Sequence, residues 1–150
     1  MTDHADEFLD AVDTFARSVR RTRGTGATTA SAGLTLSQYG LLLPLLDQGE
    51  TRVRDLADAA GVTPATATNI LDALERRGLV GRDRSARDRR TVTVTLTSDG
   101  RAALKARHAA TRELERAMYD SLSRRERVVA PGLLYRLAAL IDELAALDAN

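Results

Sequence analysis

The sequence predicts a mainly α-helical fold with one small β hairpin, and three observations lead there. Residues 62–78, Val-Thr-Pro-Ala-Thr-Ala-Thr-Asn-Ile-Leu-Asp-Ala-Leu-Glu-Arg-Arg-Gly, carry a helix start, a periodic interior and a helix stop. Residues 92–96 alternate Val92, Val94 and Leu96 with threonines, the period of a strand with one buried face. The flanking segments repeat apolar residues at spacings of three and four, as helices packed on one side do. A chain of 150 residues makes one domain, or one domain with an appended interface.

In chain order, residues 4–21 form a first helix with Phe8, Val12, Phe15 and Val19 on one face and Leu9 and Ala16 beside them. Asp3, Asp6 and Glu7 suit its positive start, and Arg17, Arg20 and Arg21 its negative end. This face either covers the chain's own core or packs on a partner. Residues 22–33 lack periodicity, are rich in Gly, Ser and Thr, and read as a mobile linker. Thr35 and Gln38 make a capping box that opens a second helix, with Leu41, Leu42, Leu45 and Leu46 as its core stripe. Pro44 lies inside it and predicts a bend, and Gly49 ends it. Val53, Leu56, Ala57 and Ala60 give a short third helix closed by Gly61.

The fourth helix starts at Thr63, whose hydroxyl can accept from an orphan amide of the first turn, and Pro64 fits the first helical position. Arg76 and Arg77 occupy its last turn before Gly78. Ala67, Ile70, Leu71 and Leu74 form its buried stripe, while Thr66, Asn69, Ala73 and Arg76 fall opposite. Two strands around a charged turn then make the hairpin, in which Arg82, Arg84, Arg87, Arg89 and Arg90 outnumber Asp83 and Asp88. Two short helices joined by a tight turn, the second presenting a polar face, are a helix-turn-helix, and the hairpin behind makes it a winged one. A polar helix face and a basic hairpin fit the major groove and adjacent backbone of double-stranded DNA. The same residues also fit a solvated charged hairpin capping a small core.

Thr97 caps a fifth helix, residues 98–121, with Ala103, Leu104, Ala110, Leu114, Ala117 and Met118 as apolar positions. Ser123 and Glu126 form a second capping box for a last helix in which Leu133, Leu137, Leu140, Leu144 and Leu147 repeat like a coiled-coil seam. Pro131-Gly132 interrupts it and predicts a kink near Ala130. Burial against the preceding helix would satisfy this seam; pairing with a second copy would too. The division expected is a helical dimerisation region, residues 1–33 plus 100–150, around a winged helix-turn-helix, residues 34–99.

Composition excludes several classes of chemistry. The absence of cysteine removes disulfides, thiolate catalysis and thiol redox sensing. The only histidines, His4 and His108, fall in different helices without zinc-ligand spacing, so neither a catalytic nor a metal site is expected, and no cofactor. His108, on an Ala-rich helix, reads as a surface or subunit-contact residue. Three per cent aromatic content argues against stacking on single strands. A net charge of +1 means that any attraction to phosphate is local. No apolar run reaches a membrane-spanning length, and the acidic start lacks a signal-peptide pattern, so a cytoplasmic protein without a membrane partner is expected.

Leu34-Thr35-Leu36-Ser37-Gln38-Tyr39, Val53-Arg54-Asp55-Leu56-Ala57, the Thr63–Gly78 helix, Gly78-Leu79-Val80, Asp88-Arg89-Arg90 and Leu96-Thr97-Ser98-Asp99-Gly100 together resemble the MarR family of winged-helix transcription regulators over about residues 5–147. The resemblance implies a homodimer built by the first and last two helices, bound to a palindromic operator. It places Thr63, Ala65, Thr66, Thr68 and Asn69 on the recognition helix, with Arg90 as the minor-groove arginine and Asp88 as the acid that orients it. Arg76, Arg84 and Arg87 complete the expected DNA-facing set. Pro64, Asn69 and Ala73 stand where relatives often carry basic residues, which shifts charge from the helix to the wing. A repressor released by a small aromatic ligand is implied, with Phe15, Tyr39, Leu43 and His108 as candidate ligand residues. The alternative from another class is a winged-helix protein-interaction module whose wing meets an acidic partner.

Overall fold

The computed structural model describes residues 4–24, 33–84 and 91–148. Its elements are α1 (His4–Gly24), α2 (Leu36–Leu42), α3 (Leu45–Gln48), β1 (Glu50–Arg52), α4 (Val53–Ala60), α5 (Pro64–Arg76), β2 (Val80–Arg84), β3 (Val92–Leu96), α6 (Ser98–Ser121) and α7 (Arg124–Asp148). They divide into two compact units, residues 1–109 and 110–150, with α6 running through the boundary.

The first unit holds a core of Leu34, Tyr39, Leu41, Leu42, Leu45, Leu56, Ala57, Ala67, Leu71, Leu74, Leu79, Val80, Val94 and Leu104. Each fully buried leucine contributes roughly 1.5–3 kcal/mol relative to an exposed one. Local signals put the helices in place. Thr35 accepts from the Gln38 amide while the Gln38 side chain accepts from the Thr35 amide, closing the capping box. Pro44 supplies no N–H to the Gly40 carbonyl, and the predicted bend becomes a division into α2 and α3, with Leu43 and Pro44 still in right-handed dihedrals. Gly61 ends α4 in the left-handed region, φ 64°, a conformation that a Cβ would penalise.

The sheet has three antiparallel strands in the order β1-β3-β2, one more than the hairpin expected. Thr51 pairs with Val94 and Arg82 with Val94 from the other side. The face assignment also shifts: Val94 is buried as expected, but Val92 is exposed, and Thr93 is buried with its hydroxyl donating to the Asp83 carbonyl. That bond makes a buried threonine affordable.

Helix α1 runs to Gly24, three residues into the segment read as a linker; residues 25–32 lie outside the described ones. Its Phe8, Leu9, Val12 and Phe15 are all exposed. In the second unit the Ser123–Glu126 capping box forms as expected, the Glu126 amide donating to the Ser123 hydroxyl and the Ser123 amide to the Glu126 carboxylate, and hydrogen bonding from the Ser123 side chain and backbone holds that carboxyl below its ordinary range. Helix α7 continues through Pro131 rather than being interrupted there. Arg127 lies over the Tyr119 ring at 4.8 Å and donates to the Tyr119 and Asp120 carbonyls, which joins the end of α6 to the start of α7. Leu133, Leu140, Leu144 and Leu147 stay exposed, so packing within this unit does not satisfy the seam.

Candidate nucleic-acid interface

The presented face is built by α4 and α5. Gly61 and Val62 close α4 onto the Ala57 and Asp58 carbonyls, and α5 begins two residues later. Thr63 caps α5 by accepting from the Thr66 amide at 3.2 Å, and Pro64 takes the first helical position. Ala67, Leu71 and Leu74 lock one side of α5 into the core. Because that stripe is buried, the opposite side faces solvent: Thr63, Ala65, Thr66, Thr68, Asn69 and Arg76 are all exposed. A thirteen-residue helix so anchored carries these side chains as a rigid ridge.

The side chains are not equally available. The Thr63 and Thr66 hydroxyls bond each other at 2.9 Å. Arg76 folds back along its helix, its Nε donating to the Asp72 carbonyl at 3.3 Å. Among the described residues, Thr68 and Asn69 make no side-chain hydrogen bond, which leaves their donors and acceptors for another surface.

The hairpin follows α5 through Gly78, φ 71°, with the Gly78 and Leu79 amides donating to Glu75 and Leu74 carbonyls. Arg84 ends β2 in register with Val92. Arg87, Asp88 and Arg90 lie outside the described residues. Arg82, counted from the sequence as one of five arginines that make the hairpin positive, is paired within the protein. Its side chain is only 20% exposed, its Nη2 sits 2.6 Å from Asp72 Oδ1 and donates to the Thr68 carbonyl at 3.2 Å, and its Nε is 3.7 Å from Glu75 Oε2. An i, i+3 pair of acids on α5 was the available signal for this contact, but only tertiary folding brings β2 against it.

The candidate ligand residues divide. Tyr39 Oη and His108 Nδ1 are 2.8 Å apart, their rings tilted at 36°, so His108, read from the sequence as a surface or subunit-contact residue, is half-buried against α2. Phe15 and Leu43 are both exposed. A cavity of about 440 Å³ lies elsewhere, in the second unit, lined by residues including Met118, Tyr119, Leu122, Pro131, Leu133 and Leu134. Among the described residues no cluster of His, Asp and Glu could hold a metal ion.

The comparisons with known proteins agree with this geometry. The model of the MarR family matches residues 34–92. The HTH-type transcriptional repressor NicR of Pseudomonas putida is 36% identical over 109 residues, 73% of this chain and 67% of NicR. A probable transcriptional regulator from Pseudomonas aeruginosa, known from its crystal structure, is 31% identical with a TM-score of 0.71, over 83% of this chain and 93% of the other. BpsR of Bordetella bronchiseptica, whose DNA binding is regulated by 6-hydroxynicotinic acid, is 28% identical with a TM-score of 0.70, over 86% and 98%.

Proposed function

The chain belongs to the MarR family of DNA-binding transcriptional regulators, and from that premise we propose that it is a homodimeric repressor which reads a palindromic operator and is released by a small aromatic ligand. The observation that carries the reading is the exposed ridge of α5, where Thr68 and Asn69 keep their polar groups unengaged among the described residues. Thr63, Ala65 and Thr66 enter the major groove beside them, and Arg76 reaches the flanking backbone. Arg84, Arg87 and Arg90 supply the positive wing, and Asp88 orients the Arg90 guanidinium through a charge-assisted hydrogen bond. Exposed apolar faces on α1 and on α7 support pairing with a second copy, since a monomer that left both in water would aggregate. Such a protein works in the cytoplasm; none of its described helices is long and apolar enough to cross a membrane.

Three variants test the DNA reading on one palindromic and one random duplex over a salt series. Arg90→Ala weakens binding to both and lowers the salt slope by about one per subunit. Asp88→Ala weakens binding although it removes a negative charge, because the arginine loses its orientation. Asn69→Ala relaxes sequence preference with little change in slope, since an amide reads base edges and releases no counterion. Unchanged binding by Arg90→Ala, or tighter binding by Asp88→Ala on both duplexes, would reduce the hairpin to a solvated loop.

The ligand reading rests on the Tyr39–His108 pair, a polar couple between α2 and α6 with Phe15 and Leu43 as its apolar neighbours by family resemblance. BpsR, which responds to an aromatic acid, supports the class. Small aromatic acids are expected to raise the melting temperature and weaken operator binding, and Tyr39→Phe to blunt both responses. A panel that moves neither quantity removes the ligand from the proposal.

A further inference from the structure

Resting on the DNA-binding reading above, we infer that Arg82 is a positioning residue which fixes the β2–β3 hairpin on α5, rather than a contact to phosphate. The hairpin is joined to α5 by only Arg77, Gly78 and Leu79. At its base the hairpin is also held by β1 pairing with β3 and by Val80 and Val94 in the core, so what a side chain of β2 adds is the alignment of the strand beyond Val80 against α5. Arg82 stands mid-strand, opposite Val94, and its guanidinium reaches α5 at three points one turn apart: the Thr68 carbonyl, the Asp72 carboxylate and the Glu75 carboxylate. The planar fork of arginine suits several acceptors held in fixed directions, as a lysine ammonium does not. Its partners are half-exposed, 49% for Asp72 and 45% for Glu75, but Arg82 itself is largely covered and its Nε is shut off from water.

The charge arrangement points the same way. Two carboxylates on the helix that presents the recognition ridge would repel a nearby phosphate backbone, and Arg82 offsets them from inside the protein. Its grip on the Thr68 carbonyl also falls within the exposed turn that carries Thr68 and Asn69. The angle at which the hairpin meets DNA is thereby referenced to the turn that reads the bases.

The consequence is a sign that simple electrostatics would not give. Asp72→Asn makes the protein more positive, which alone should tighten DNA binding and raise the salt slope. A positioning role requires the reverse: with its acceptor weakened, Arg82 no longer aligns the hairpin, and the cationic contacts made by its remaining arginines are lost. Operator affinity is measured for wild type, Asp72→Asn, Arg82→Gln and the double variant over a salt series, with melting temperatures recorded for each. The expected result is that Asp72→Asn weakens operator binding by about tenfold and lowers the salt slope, and that the double variant is no weaker than Arg82→Gln alone. A loss of stability alone would lower the melting temperature but leave the slope of the folded fraction unchanged. Tighter or unchanged binding by Asp72→Asn, an unchanged slope, or additive losses in the double variant would overturn the inference. Should Arg82→Gln not fold, the slope of the isosteric Asp72→Asn variant decides by itself. Absence of operator binding by the wild type would instead remove the DNA-binding reading on which the inference rests.

Discussion

Gly100→Ala is expected to destabilise the protein by about 3 kcal/mol and to lower its melting temperature by roughly 10 °C. Gly100 lies in the first turn of α6, where its backbone packs directly on the Leu79 peptide. A Cβ there would collide with the Leu79 carbonyl oxygen and stand 2.8 Å from the carbonyl carbon, so backbone must move. The movement cannot stay local. The Leu79 carbonyl accepts from the Thr97 amide at 3.2 Å, the Thr97 hydroxyl donates to the Gly78 carbonyl at 2.7 Å, and the same hydroxyl accepts from the Gly100 amide. These bonds hold the start of α6 against the link between α5 and β2, with Leu79, Val80 and Leu104 buried around it. Gly40→Ala is the matched control. A Cβ at Gly40 meets nothing within 4 Å, so that helical substitution should be neutral or stabilise by up to about 1 kcal/mol. Equal melting temperatures for the two variants would show that the packing at Leu79 does not constrain the fold.

Removing residues 133–150 should abolish the proposed dimer and reduce affinity for its proposed operator by about a thousandfold or more, the interval between paired specific contacts and non-specific binding. The deletion takes most of α7, including Leu133, Leu140, Leu144 and Leu147, all exposed in the single chain. What remains keeps its own buried core, which spans Leu34–Leu104. It also keeps Phe8, Val12, Phe15, Leu114 and Met118 in water, so aggregation is the expected fate. Sedimentation, thermal unfolding and operator titration of the truncated chain check this together. A soluble, cooperatively unfolding monomer with undiminished operator affinity would refute the dimer and the role of α7 in it.

The elements with strong local chemistry were legible without coordinates. Thr35 with Gln38, Thr63 with Pro64, Thr97 with Gly100 and Ser123 with Glu126 mark helix starts because each satisfies orphan amides within one turn, whatever the rest of the chain does. Gly49, Gly61 and Gly78 mark stops because each adopts a positive φ. The buried stripe of α5 followed from spacing alone, and with it the exposed ridge opposite.

Tertiary structure decided the rest. Strand β1 is only Glu-Thr-Arg, with no alternation of its own, and exists because β3 offers an open edge with Val94 opposite Thr51. Thr93 is buried because the Asp83 carbonyl accepts its hydroxyl, a partner ten residues away in sequence. Tyr39 and His108 meet across sixty-nine residues, and neither periodicity nor composition couples them. Arg82 shows the limit most clearly. A count of charges along the chain treats all five hairpin arginines alike, since formal charge is local information. That Arg82 is spent on Asp72 and Glu75 depends on the angle between a strand and a helix, and that angle is set only when both pack on the common core.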